Sequence, residues 1–209
     1  MMEVSLANLS IYIGVFCLFA WLVLGAMLMY GKVAPSSLTQ EYVLLALLVG
    51  LMVIFIPSFF GAVINTTRSI PVGLYWRVRA QPQIGAYVLV CPPSTELFDT
   101  ARERGYISSG WCPDGYGLLM KRVAALAGDV VSVQDDGVRV NGELLPFSAP
   151  LAADPAGRPL PNYAVERYTL AEDEVLLMGD VNPLSFDARY FGPIARKQIV
   201  DGIVPVFTW

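Results

Sequence analysis

Ser69 and Lys121 are the two side chains of this sequence whose chemistry and surroundings suit a nucleophile and its base. The sequence holds no histidine, which removes Ser–His–Asp triads, Cys–His dyads and most zinc sites from consideration. A serine nucleophile then needs another base. A lysine serves if it is neutral near pH 7, and burial among apolar groups disfavours its ammonium form. Lys121 lies within the apolar, strand-like run GLLMKRVAAL, where Arg122 points to the opposite face. Either it faces water at a strand edge, the commoner fate of a lysine, or it is the buried base. Ser69 lies in NTTRSIPVGLYW, where Pro71 biases Ile70 to an extended shape and Gly73 permits a sharp turn. Alone, this segment also fits a plain turn after a helix. The third group is GDVNPLSFDARYFGPI, Gly179 to Ile194. If it is extended, Ser185, Asp187 and Arg189 fall on one side. An Asp–Arg pair there either braces a site or pins a loop.

Three cysteines are present. Cys17 sits in an apolar run as a small buried residue. Cys91 and Cys112 have no CxxC-type spacing. They form a disulfide if this part faces an oxidising compartment, and are otherwise two free thiols. Asn65-Thr66-Thr67 is formally a glycosylation sequon, discounted for its place at a membrane edge beside Ser69.

The elements that must position these groups divide sharply. Of 209 residues, 55% are hydrophobic and mean hydropathy is +0.54. Before Asn65 the only charged side chains are Glu3, Lys32 and Glu41. Residues 1–64 therefore read as a membrane anchor with helices at about 11–30 and 42–64, each near the roughly 20 residues a bilayer requires. The first run lacks the basic start and small-residue cleavage site of a removable leader. A short link makes the two an antiparallel hairpin. Lys32 against Arg68, Arg77 and Arg79 favours an internal domain by charge counting, whereas the cysteines and the chemistry favour an external one.

Residues 65–209 change to short β-type runs: LYWRVRA, AYVLVC, GLLMKRVAAL, DVVSVQ, GVRVN, EVLLMG and IVDGIVPVF. Asp136-Gly137 and Asn141-Gly142 are two-residue turn signals. Thr95 to Gly105 reads as helix, and Pro150 to Pro161 as a Pro-, Ala- and Gly-rich loop. The expected fold is a mainly β soluble domain with a small helical insert, preceded by two transmembrane α-helices. The net charge of −4 gives no basic footprint for nucleic acid.

In order, S-x-P-x-G-L-Y, K-R-V-x-A-L-x-G-D and S-F-D-x-R-Y-F-G-P resemble the boxes of the type I signal peptidase family. The likeness is closest to its conjugative-transfer, TraF-type branch, which ARERGYISSGWCPDGYG and GRPLP also resemble. It runs from about Asn65 to Trp209. The resemblance implies a signal-peptidase-like β fold with Ser69 as nucleophile and Lys121 as base. It implies an oxyanion hole from Thr67 and the Ser69 backbone, Ser185 orienting the lysine, and Asp187 with Arg189 as support. Ile70, Leu74, Leu119 and Met120 match pocket positions on the acyl side, or else pack a core. The chain departs from the housekeeping pattern at Ile70, at LAGD, at GDVN and at Ala188.

The implied activity is that of a membrane-bound serine endopeptidase of the bacterial inner membrane, with its catalytic domain on the external, periplasmic side. It needs no cofactor or metal. Its partners are the lipid bilayer and membrane-tethered precursors, pilins or secreted proteins, and no nucleic acid. Water or a substrate amine can open the acyl-enzyme, giving hydrolysis or cyclisation. The alternatives are a housekeeping-type signal peptidase and a non-catalytic assembly factor of the conjugation apparatus. Autocleaving repressors share the Ser–Lys pair but need a DNA-binding segment where this chain has membrane-type sequence, and no S-x-x-K supports a penicillin-binding enzyme.

Overall fold

Runs rich in valine, isoleucine, leucine and tyrosine suit a pleated, half-buried surface, and they form most strands of this protein. The computed structural model describes residues 21, 42, 43, 45–52 and 61–209. Residues 21, 42, 43 and 45–52 are helical. Most of the expected spans, 11–30 and 42–64, lies outside the described residues. Among the described residues no helix is long and apolar enough to cross a membrane. The chain divides into two compact units, Met1–Ala62 and Val63–Trp209.

In chain order the strands are β1 (Ala62–Asn65), β2 (Gly73–Val78), β3 (Tyr87–Val90), β4 (Leu119–Ala125), β5 (Val130–Gln134) and β6 (Gly137–Val140). There follow β7 (Glu143–Leu144), β8 (Val165–Thr169), β9 (Glu174–Met178), β10 (Ile194–Ala195) and β11 (Ile199–Thr208). A seven-stranded sheet has the order β1-β2-β11-β3-β4-β9-β10, and a four-stranded sheet the order β7-β6-β5-β8. Val131, Val133, Val138, Leu176 and Met178 share one core. Val88, Val90, Val123, Val175 and Leu177 fill another.

Two sequence expectations need correction here. The last residues of the expected second span, Ala62, Val63 and Ile64, belong to β1. Val63 packs with Ile70, Tyr75, Leu89 and Ile203, since side chains apolar enough for a bilayer fill a protein core equally well. The stretch after Ser185 is not extended throughout. Asp187 caps a one-turn helix, α2 (Ala188–Phe191), by accepting the Arg189 N–H. The turns divide similarly. Asn141-Gly142 joins β6 to β7 with φ of 53° and 88°, the left-handed pair that a two-residue hairpin favours. Between β5 and β6 the two turn residues are Asp135 and Asp136, because Gly137 already pairs with Gln134.

Between β3 and β4 the chain leaves the sheet as an insert. Its helix α1 (Glu96–Glu103) buries Phe98 and Ala101. Eight residues are too few to hold as an isolated helix, so packing must hold it. Phe98 meets Tyr116, Phe186 and Phe191 with ring centroids 5.2–6.5 Å apart. The Cys91–Cys112 disulfide closes the insert at its base. The loop at 150–161 is fastened to it. Asp154 accepts bonds from Tyr106 Oη at 2.7 Å and Arg158 Nε at 2.6 Å. Arg104 donates to the Pro159 carbonyl at 2.7 Å.

Candidate active site

β1 delivers the chain to a tight turn that carries Ser69, and one side chain organises that turn. Asn65 is 1% exposed. Its Nδ2 donates to the carbonyls of Thr67, Ile70 and Pro71 at 2.8–3.0 Å. Three acceptors share two hydrogens, so at least one bond is bifurcated. Its Oδ1 accepts the Thr67 N–H at 3.1 Å and the Thr67 hydroxyl at 2.9 Å. Tyr75 Oη donates to the Pro71 carbonyl at 2.6 Å. Sequence reasoning treated Asn65 only as part of a sequon. The usable signal was its type: asparagine bonds its own backbone two residues on.

Lys121 arrives from β4, the strand next to β3 in the large sheet, paired with Val88. Alternation turns Arg122 outward, to 3.7 Å from Asp180, and turns Lys121 inward, where it is 2% exposed. Lys121 Nζ lies 2.9 Å from Ser69 Oγ and 2.8 Å from Ser185 Oγ. The two hydroxyl oxygens are 3.3 Å apart. Burial pulls the Lys121 ammonium from 10.5 down to about 8; the Asp187 charge opposes this and Arg189 reinforces it. Desolvation dominates. Near pH 7 about a tenth of the molecules carry a neutral amine whose lone pair can accept the Ser69 proton.

The loop after β9 completes the cluster. The Asp180 N–H donates to the Ser69 carbonyl at 3.0 Å, which ties the two segments together. Gly179 permits the approach: a Cβ there would lie 2.3 Å from Ser185 Oγ and 3.0 Å from Ser69 O. Asp187 and Arg189 are wholly buried and paired through two parallel contacts, at 2.8 and 3.0 Å. Asp187 also accepts the Gly179 N–H at 2.9 Å. Arg189 donates to the carbonyls of Pro183 and Ala149. The ion pair therefore fixes the loop that carries Ser185. Tyr87 Oη donates to Asp180 at 2.8 Å. Burial first, and this carboxylate second, hold the phenol well above its ordinary range.

Of the residues singled out from the sequence, Ser69, Lys121, Ser185, Thr67, Asp187 and Arg189 come together. Cys91 and Cys112 are bonded, 5.4 Å apart at Cα. The four expected pocket residues do not line the cleft beside Ser69. Ile70 is fully buried among Val63, Tyr75 and Leu89, with Met120 against them. Leu119 packs between two cores, and Leu74 is half-buried on β2. That cleft, about 310 Å3, is instead bounded by Tyr106, Leu160, Leu184 and Phe186 together with Thr67 and Ser185. None of the first four was expected to line the cleft, because the insert and the loop reach it only after folding. Among the described residues no group of three or more His, Cys, Asp or Glu side chains is placed to hold a metal.

The family model described as signal peptidase, peptidase S26, matches residues 36–209. Plasmid transfer protein TraF of Escherichia coli is 63% identical over 149 residues, covering 71% of this chain and 84% of that protein. Conjugal transfer protein TraF of Agrobacterium tumefaciens (strain 15955) is 36% identical over 152 residues, with the same coverage of 71% and 84%. Signal peptidase I V of Bacillus subtilis (strain 168) is 34% identical over 90 residues, 40% of this chain and 54% of that one. With its match over most of the chain and its likeness to conjugal transfer proteins, this protein belongs to the signal peptidase family, peptidase S26.

Proposed function

We propose that the protein is a Ser–Lys endopeptidase that cleaves leader or pro-peptides from exported precursors. The observation that carries the reading is the buried Lys121 amine, lowered to about 8 and set 2.9 Å from Ser69 Oγ. Neutral Lys121 accepts the Ser69 proton as Ser69 attacks the scissile carbonyl. Ser185 takes a hydrogen from the same nitrogen, which leaves the lone pair aimed at Ser69. The developing oxyanion is met by the Ser69 N–H and by the Thr67 hydroxyl, which exchanges its bond to Asn65 for one to the substrate. Asn65 keeps the Thr67 N–H, so the turn holds its shape. Lys121, now charged, protonates the leaving amine. Water or an amine then opens the acyl-enzyme.

Relatives named for plasmid and conjugal transfer support a pilin precursor as substrate, with cyclisation as one way the reaction ends. The apolar runs at 11–30 and 42–61 support anchorage in the inner membrane. The Cys91–Cys112 bond supports an external, oxidising side for the catalytic unit. Leu74, Leu119 and Met120, each partly exposed, are left to meet the acyl side of the substrate, whereas Ile70 is fully buried and serves the core.

The test is co-expression with a candidate pilin precursor, beside Ser69→Ala and Lys121→Met, followed by intact mass of the product. Both variants should leave the precursor uncut. Processing that survives either change refutes the reading. A product lighter by one water than the trimmed linear chain identifies cyclisation.

A further inference from the structure

Two cavities, one of which touches Ser69, share part of their walls. The first is the cleft already described, which touches Ser69 and Ser185. The second, about 450 Å3, is bounded by Leu97, Thr100 and Ala101 of α1 and by Pro159 and Pro161 of the loop. Tyr106, Leu160 and Phe186 belong to both. They make a ridge between two parts of one track. Its walls are held in place by the Tyr106–Asp154 and Arg104–Pro159 bonds and by the disulfide.

Proton traffic says which half of a substrate this track takes. The leaving amine must collect its proton from Lys121, whose nitrogen bonds Ser185 at 2.8 Å, and Ser185 lines the first cavity. Ile70, Leu74, Leu119 and Met120 line neither cavity. Resting on the Ser–Lys reading, we propose that the precursor segment on the amine side of the scissile bond lies extended along this track. It crosses the ridge of Tyr106 and Leu160 and seats one apolar side chain against Leu97, Thr100 and Phe186. Glu96 and Arg104 also line this cavity, Arg104 being engaged by the Pro159 carbonyl, and the apolar seat is the part formed by Leu97, Thr100 and Phe186. Once the cleaved segment leaves, the same track accommodates an incoming amine, which is what cyclisation requires.

The test separates binding from turnover. Full-length Ser69→Ala protein is titrated with fluorescein-labelled octapeptides of alanine and serine, free at the amino terminus, carrying a single leucine stepped through successive positions. Fluorescence anisotropy should find one position at which leucine tightens binding about tenfold, the return on burying that side chain. Adding Thr100→Trp, which places an indole in the second cavity, should erase the gain while circular dichroism is unchanged. Leu160→Ala should weaken it as an independent check. Equal affinity at every leucine position, or a gain that survives Thr100→Trp, overturns the proposal. Failure of the Ser–Lys reading shows elsewhere, as wild-type cleavage that Lys121→Met does not alter.

Discussion

At the scale of single residues, Lys121 carries a conflict between stability and chemistry. Its folded value of about 8 lies below the 10.5 of an exposed lysine, so the folded state binds the proton less tightly than the unfolded chain. Below about pH 8 both states are protonated, and folding bears the whole cost of burying the ammonium. As pH rises from about 8 to 10.5 the unfolded chain still holds its proton and the folded one does not, so stability increases across that window. The cost at neutral pH is on the order of 3 kcal/mol. Lys121→Met should therefore be inactive yet more stable at pH 7, and its advantage should shrink toward pH 10. Urea titrations of both proteins across that range measure this, and a constant difference would contradict it. In the wild-type protein kcat/KM should climb tenfold per pH unit below about pH 8 and level off above it.

At the scale of elements, the insert between β3 and β4 is the part whose loss leaves the sheets standing. Its helix is short, its core is the ring cluster around Phe98, and its base is one disulfide. Closing a loop of this size is worth about 3 kcal/mol on the chain-entropy model. Replacing Cys91 and Cys112 by serine should loosen residues 96–116 while β4 and β9 stay protected, a contrast that hydrogen exchange reads directly. Peptide turnover should fall, because Tyr106 leaves the cleft wall; unchanged exchange in the insert would refute this. α1 and the strands with clear β-branched runs were legible in the sequence, since period and composition are local properties. β8 was not: Val165–Thr169 sets the adjacent charges of Glu166 and Arg167 between Val165 and Tyr168 and is mostly exposed. β7 and β10 have two residues each and exist only through their partners.

At the scale of the whole molecule, the second compact unit begins at Val63, inside β1. A protein truncated to begin at Gly61 should fold and cut a soluble peptide, while losing its preference for membrane-tethered precursors. One that begins at Thr66 lacks both β1 and Asn65 and should melt lower and cut neither, a comparison that thermal melts and peptide assays settle. The pairing of Ser69 with Lys121 was legible because two chemically unusual residues stood in ordered boxes. The cleft was not legible, because Tyr106, Leu160 and Phe186 lie far apart along the chain and are brought together by contacts that no single segment encodes. Asn65 was missed for a similar reason, its five bonds existing only once the turn has closed.

Those five bonds have a mechanical consequence. Ser69 stands a few residues along the chain from the start of β1, so any pull on the amino-terminal side is transmitted along that strand toward Ser69. The load meets the β1–β2 ladder first and then the amide of Asn65, which is tied to Thr67, Ile70 and Pro71 together. Tension is thus shared across the whole cross-tied turn before it reaches the contact between Ser69 and Lys121.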